Sequence, residues 1–241
     1  MLSKNQIKLI SSLKHKKFRQ ENQLFVVEGI KTIGEFLNST YQLEHLFTTK
    51  TFNIDAKKET IISESDLKKI SFLKSPNQAV AVFKIPANAE VNMCGLIVVL
   101  DSVRDPGNLG TIIRLCDWFG IADLVCSEST VDCYNPKVVQ ATMGSLTRVN
   151  ISYLNLELFI NDNNLTTFGA FMDGDNIYDQ NLPEQGILIL GNEANGISES
   201  LEKKVVNRIS IPRFGKLQKT ESLNVATAAA IILSEFKRNR S

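Results

Sequence analysis

The chain has 241 residues, 43% of them hydrophobic and 22% charged, with a formal net charge of +1. That balance suits a folded globular protein with room for one large or two modest cores. No apolar run reaches the roughly 18 residues of a membrane-spanning helix, and the basic opening MLSKNQIKLISSLKHKK lacks the apolar centre of a secretory signal, so a cytoplasmic protein is expected.

Ile7, Leu9, Ile10 and Leu13 predict a short helix, and His15 to Asn22 follows as a polar, basic stretch. Leu24 to Val27 is a buried-strand run before Glu28-Gly29, and Ile30, Ile33, Gly34 and Leu37 share one side of a helix. A strand over Leu43–Thr48, a helix over Asp66–Phe72 and a strand over Ala79–Ile85 complete a β-α-β-α-β order, which predicts a small α/β domain over 1–87. Residues 1–85 hold 14 Lys and Arg against 8 Asp and Glu, whereas the remainder holds 13 against 18. Such asymmetry points to a polyanion partner for the N-terminal part, or equally to a solvated basic helix.

Residues 88–94 have linker composition, and a second domain is expected over 95–241. Leu96–Leu100 is wholly apolar, as in a parallel sheet covered on both faces. Asp101 to Gly107 reads as a loop with a Pro-Gly turn, and Leu109–Phe119 as a helix whose apolar face turns Arg114 outward; Trp118 and Phe119 are expected in the core or in a dimer contact. Strands follow at Leu124–Cys126, Val149–Tyr153, Thr167–Phe171 and Gly186–Leu190, with helices from Pro136 to about Met143 and near Leu156–Ile160. Ile209 to Pro212 ends a buried strand, Arg213 to Glu221 is a polar loop with two lysines, and Ser222 is expected to cap an almost wholly apolar helix running to Phe236.

Three loops thus follow apolar strands, at 101–108, 191–196 and 213–221, and ligands in open α/β sheets bind at such ends. Neither G-x-G-x-x-G nor G-x-x-x-x-G-K-[ST] is present, so a dinucleotide or P-loop site is poorly supported. His15 and His45 are the sole histidines, which excludes a Ser-His-Asp triad or His-based metal site in the C-terminal part; no metal is expected. Cys94, Cys116, Cys126 and Cys133 show no CxxC spacing and read as free thiols.

The segments DPGNLGTIIRLCDWFGI (105–121), ILGNEANGIS (189–198) and IPRFGKLQKTESLNVATAAAI (211–231), in this order, resemble the three motifs of the SpoU, or TrmH-like, family of the SPOUT superfamily. The resemblance covers about 95–238. The N-terminal part, through its basic start and FVVEG (25–29), is similar to the L30e-like substrate-binding domain of some members. It implies a parallel α/β sheet with a C-terminal deep trefoil knot, a homodimer through the knotted domain, and S-adenosylmethionine as cofactor. The implied activity is 2′-O-ribose methylation of RNA, ribosomal RNA first; a transfer-RNA enzyme or a non-catalytic RNA-binding member is the alternative. By motif position, Leu190, Gly191, Ile211 and Leu223 would hold the cofactor. Asn108, Arg114, Glu193, Ser222 and Asn224 would be the catalytic set, with Glu193 orienting Arg114. Lys14, Lys16, Lys17 and Arg19 would meet RNA. The loop between Pro212 and Ser222 is longer than in many members, which leaves Lys216 and Lys219 open between ligand contact and solvated charge.

Overall fold

The structure, a computed structural model, describes residues 2–217 and 222–238; Lys219 lies outside them. The chain divides into two compact units, Met1–Ala87 with Asp132–Thr147, and Asn88–Val131 with Arg148–Ser241.

The first unit contains α1 (Lys4–Ser12), α2 (Lys16–Asn22), β1 (Leu24–Glu28), α3 (Ile30–Leu37), β2 (Leu43–Thr48), β3 (Glu59–Ile61), α4 (Glu64–Ile70) and β4 (Ala79–Lys84). Its sheet has the order β1-β4-β2-β3, antiparallel except where β3 joins β2. The alternation in sequence showed neither β3, which is three residues long, nor α2, whose composition is almost wholly polar. The basic stretch is helical because residues 16–22 pack one side chain inward, and that side chain is Arg19.

Arg19 is 2% exposed. Its Nε donates to Asp132 Oδ2 at 3.0 Å, and its Nη1 donates to the carbonyls of Leu13 and Lys14 at 2.8 and 2.9 Å. The expectation of an RNA contact is therefore corrected for this residue: a guanidinium with its donors committed internally is a strut. Lys14, Lys16 and Lys17 do stand exposed. Replacing Arg19 with alanine would leave Asp132 and two carbonyls without their donor. A loss of about 3 kcal/mol in unfolding free energy is expected, the low end for breaking a buried pair, and denaturant melts would measure it.

Asp132–Thr147 carries α6 (Pro136–Thr142) and a 3-10 turn (Ser145–Thr147), and it packs with the N-terminal elements. The Tyr134 ring lies 4.6 Å from that of Phe25, and a Cβ on Gly144 would fall 2.7 Å from Glu35 Cγ.

The second unit holds β5 (Leu96–Leu100), α5 (Pro106–Trp118), β6 (Asp123–Cys126), β7 (Asn150–Tyr153), α7 (Leu156–Asn161), β8 (Thr167–Asn176), β9 (Gly186–Leu190), α8 (Glu199–Glu202), β10 (Asn207–Ser210) and α9 (Val225–Lys237). All six strands are parallel, in the order β10-β8-β9-β5-β6-β7. Central β5 and β9 are buried at every residue, as their unbroken apolar runs require. Cys116, Cys126 and Cys133 are buried free thiols and Cys94 is exposed; burial pushes the Cys116 thiol up to about 12.

Two helix starts differ from expectation. α5 begins at Pro106, with Asp105 as N-cap accepting from Asn108 N at 2.8 Å. The Pro-Gly pair is the first turn of the helix, because proline's fixed φ and missing N–H suit that position; Asn108 is thus helical. Ser222 does not cap α9. Asn224 does, its Oδ1 accepting from Ala226 N at 3.0 Å and Thr227 N at 3.3 Å. Trp118 is 83% exposed at the end of α5, so it is not a core residue.

Candidate functional site

The site is built where three parallel strands end. β9 finishes at Leu190, and Gly191 turns the chain into a loop closed on itself. Asn192 N donates to Gly196 O at 2.9 Å, and Gly196 N returns a bond to Asn192 O at 2.8 Å. Gly196 has φ +68°, a left-handed conformation that glycine adopts without strain. The loop is tied to the end of β5: Asn192 Nδ2 donates to Ser102 O at 2.7 Å, and Ser198 N donates to Asp101 Oδ2 at 2.8 Å.

A cavity of about 1110 Å³ opens against this loop. Leu190, Gly191, Ile211 and Leu223, the four residues matched to the cofactor motifs, all line it. Glu193 and Ser222 line it as well, and so do Ala228 and Ile232 of α9. From the polar loop, Arg213, Gly215, Lys216 and Leu217 reach the wall.

A fourth wall was not legible in sequence. Ala170, Phe171 and Met172 of β8 line the cavity because β8 departs from β10 between two register positions. Arg208 pairs with Gly169, yet the next residue, Ile209, pairs with Asp175. Gly174 makes the close return possible, since a Cβ there would stand 2.6 Å from the backbone carbon of Ile209. Arg208 braces the excursion: its guanidinium lies 3.6 Å over the Phe171 ring and donates to Asp173 at 2.6 Å and to Glu202. The hydrogen bond from Arg208 holds the Asp173 carboxyl below its ordinary range. The glycine pair Gly169 and Gly174, bracketing Ala170 to Asp173, is the signal that could have revealed it.

The polar candidates form a chain. Asn224 Nδ2 donates to Asn108 Oδ1 at 2.8 Å, and Asn108 Nδ2 donates to Glu193. α9, α5 and the loop after β9 are thereby joined, the chain reaching the cavity wall at Glu193, and Asn224 serves as helix cap and polar link at once. Glu193 meets Asn108, not Arg114, which corrects the expected orienting pair. Arg114 is exposed on α5, makes no ion pair among the described residues, and is not a lining residue of the cavity. Ser222 is exposed at the wall. Replacing Ser222 with alanine is expected to change stability by less than about 0.5 kcal/mol, as for a surface position. Asn224→Ala should cost about 1 kcal/mol through the lost cap. Paired urea melts would separate the two, and equal losses would reverse the capping assignment.

The wall is mainly apolar, with backbone groups offered at the three strand ends, and it is spacious for a drug-sized ligand. Such a lining suits a nucleoside whose base and sugar are held by backbone hydrogen bonds between aliphatic surfaces. Among the described residues, no cluster of three or more His, Cys, Asp or Glu could hold a metal ion, and no helix is long and apolar enough to cross a membrane.

Comparison with known proteins bears on this site. The model of the SpoU rRNA Methylase family matches residues 95–234, and that of the MRM3-like substrate binding domain matches residues 4–81. The 23S rRNA (guanosine(2553)-2′-O)-methyltransferase RlmP of Bacillus subtilis is 29% identical over 246 residues, covering 98% of this chain and 97% of its own. A TrmH-family protein from Porphyromonas gingivalis superposes with TM-score 0.90 at 39% identity, covering 99% of both chains. The AdoMet-bound rRNA methyltransferase from Sinorhizobium meliloti does so with TM-score 0.89 at 27% identity, covering 100% of this chain and 97% of its own.

Proposed function

Since this chain belongs to the SpoU rRNA methylase family, we propose that it is an RNA 2′-O-methyltransferase that moves a methyl group from S-adenosylmethionine to a ribose of ribosomal RNA. One observation carries the reading: Gly191, Ile211 and Leu223, from three separate stretches, line one cavity, which the Asn224–Asn108–Glu193 chain reaches through Glu193. A non-catalytic RNA-binding protein has no physical need for that convergence.

The bound cofactor supplies an activated sulfonium methyl; the protein has to hold the acceptor in line and exclude competing water. Leu190, Gly191, Ile211 and Leu223 would grip the cofactor through backbone groups and aliphatic surface. When the 2′-oxygen takes the methyl group, its proton must leave. Glu193, the acidic side chain among the described lining residues, is placed to accept it, directly or through water, with Asn108 fixing its carboxylate. Arg114 lies about 9 Å further along α5 than Asn108 at 1.5 Å per residue. Exposed and without an ion pair among the described residues, it would bind the phosphate beside the target ribose and steady the developing alkoxide.

The division of labour would follow the two domains expected from sequence, with residues 1–87 engaging RNA through Lys14, Lys16 and Lys17, and 95–241 carrying the chemistry, although 132–147 packs with the first unit. The C-terminal knot, a homodimer and a cytoplasmic location belong to the same proposal. The knot is supported by Ile211 and Leu223 meeting the Gly191 loop from either side of the polar segment. The dimer is supported by an exposed Trp118 and by Ala228, Ala230 and Ile231 of α9, which the chain itself covers only in part. Incubating the protein with radiolabelled S-adenosylmethionine and separate 23S rRNA and transfer-RNA transcripts tests the proposal. Label in 23S rRNA, mapped to a 2′-oxygen, is expected; label confined to transfer RNA, or none at all, would overturn it.

A further inference from the structure

We propose that the N-terminal unit carries a pocket for one unstacked base of the substrate RNA, and that guanine is the base whose edge fits it. This rests on the reading of the chain as an RNA methyltransferase and adds a place where the RNA is read. A second cavity, of about 240 Å³, lies within that unit. Its walls are Val26 and Glu28 of β1, Phe72 and Leu73 after α4, and Lys137 and Gln140 of α6. This is smaller than the pockets that enclose drug-sized ligands, and suits a single ring system.

Glu28 is the unusual group in it. The residue is 6% exposed and has no ion pair among the described residues. Its Oε1 accepts from Phe72 N at 2.7 Å, and its Oε2 accepts from Ser71 Oγ. An ionised carboxylate has about four lone-pair sites, so half of its accepting capacity is still open. Burial pushes its pKa up, against the two hydrogen bonds that lower it. Two donors already meet this buried acid, and its remaining lone pairs on the cavity wall can accept from a further pair of donors.

Guanine's Watson–Crick edge places the N1–H and the 2-amino group side by side, two donors for one carboxylate. Adenine and cytosine offer a single amino group there. Phe72 supplies an aromatic wall for stacking, the Gln140 amide can donate to the 6-oxygen, and the exposed Lys137 ammonium suits the adjoining phosphate. Unstacked bases held by aromatic stacking and edge hydrogen bonds are the usual means of sequence recognition in RNA. One wall of this pocket comes from residues 132–147, inside the stretch matched to the methylase family, although that segment packs with the N-terminal elements.

The test uses the full-length protein and an in vitro transcript of 23S rRNA. Glu28→Gln keeps an acceptor for Phe72 N but presents a donor to guanine's donor edge. Lys137→Ala and Gln140→Ala change groups at the mouth without touching the core. Filter binding is expected to show RNA affinity about tenfold weaker for Glu28→Gln, and about threefold to tenfold weaker for the other two, with KM raised in step. S-adenosylmethionine affinity by calorimetry and kcat should be unchanged. RNA binding within twofold of wild type for all three overturns the pocket, and so does a loss confined to Lys137→Ala, which a solvated basic surface would also give. Should Glu28→Gln fail to fold, Gln140→Ala decides. If the wild-type protein methylates no RNA, the enzyme reading fails instead.

Discussion

Replacing Gly191 with alanine is expected to weaken S-adenosylmethionine binding by at least roughly a hundredfold, measured by titration calorimetry. The added Cβ would stand 2.1 Å from the carbon and 2.4 Å from the oxygen of Gly196, and 2.3 Å from Ile197 N. All three are backbone atoms, so no rotamer change relieves the clash, and the loop itself must open. Opening it breaks the paired Asn192–Gly196 hydrogen bonds and strains the Ser198–Asp101 bond that ties the loop to β5. Asn192, Glu193, Ala194 and Ile197 would then leave their places on the cavity wall together. The sheet beneath is anchored independently, since β9 pairs with β5 over all five residues and with β8 on its other side, so unfolding should stay cooperative. Gly215 gives the control. It also lines the cavity, but a Cβ there meets nothing within 4 Å, so Gly215→Ala should bind the cofactor within about twofold of wild type. Near-normal affinity in the Gly191 variant would mean that this loop does not hold the cofactor.

The contrast between those two glycines shows what sequence alone can carry. A Gly after the apolar run Ile187–Leu190 marks a strand end, and that much was legible. What a Cβ would strike at Gly191 depends on residues five positions on that fold back, and no local pattern states that distance. The same limit explains Arg19. Its burial is decided by Asp132, 113 residues away, so in sequence it looks like one more cation in a basic run. Asp105-Pro106-Gly107 holds both a turn signal and a helix-start signal, and the structure chose the second. Ser222 and Asn224 are comparable N-caps by residue type. The decision fell to Asn224 because its amide nitrogen also finds Asn108, a partner from another helix. The six parallel strands were readable where both faces are buried. β8 was readable only over Thr167–Phe171, because the rest of its length, through Asn176, is largely polar and runs past its neighbour.

Arg114→Ala should lower the rate of methyl transfer by about a thousandfold or more while leaving S-adenosylmethionine affinity within about threefold of wild type. The two halves of that expectation have different grounds. Cofactor binding should survive because Arg114 does not line the cavity, and because Leu109, Ile112, Ile113 and Cys116 bury the opposite face of α5. Alanine is the better helix former in any case, so the helix should stand. The rate should fall because a cation is the group that opposes the charge gathering on the 2′-oxygen, and removal of one such donor typically costs a hundredfold to a thousandfold. Loss of a phosphate clamp on the same ribose adds a positioning penalty. Arg114→Lys divides these contributions: it keeps the charge but loses the planar fork that grips a phosphate with two bonds, so its rate should fall between the other two. Single-turnover methyl transfer to the RNA substrate, run beside cofactor titrations, measures both quantities on the same preparations. An alanine variant turning over within tenfold of wild type would take Arg114 out of the chemistry and leave Glu193, with Asn108 and Asn224 behind it, to carry the step alone.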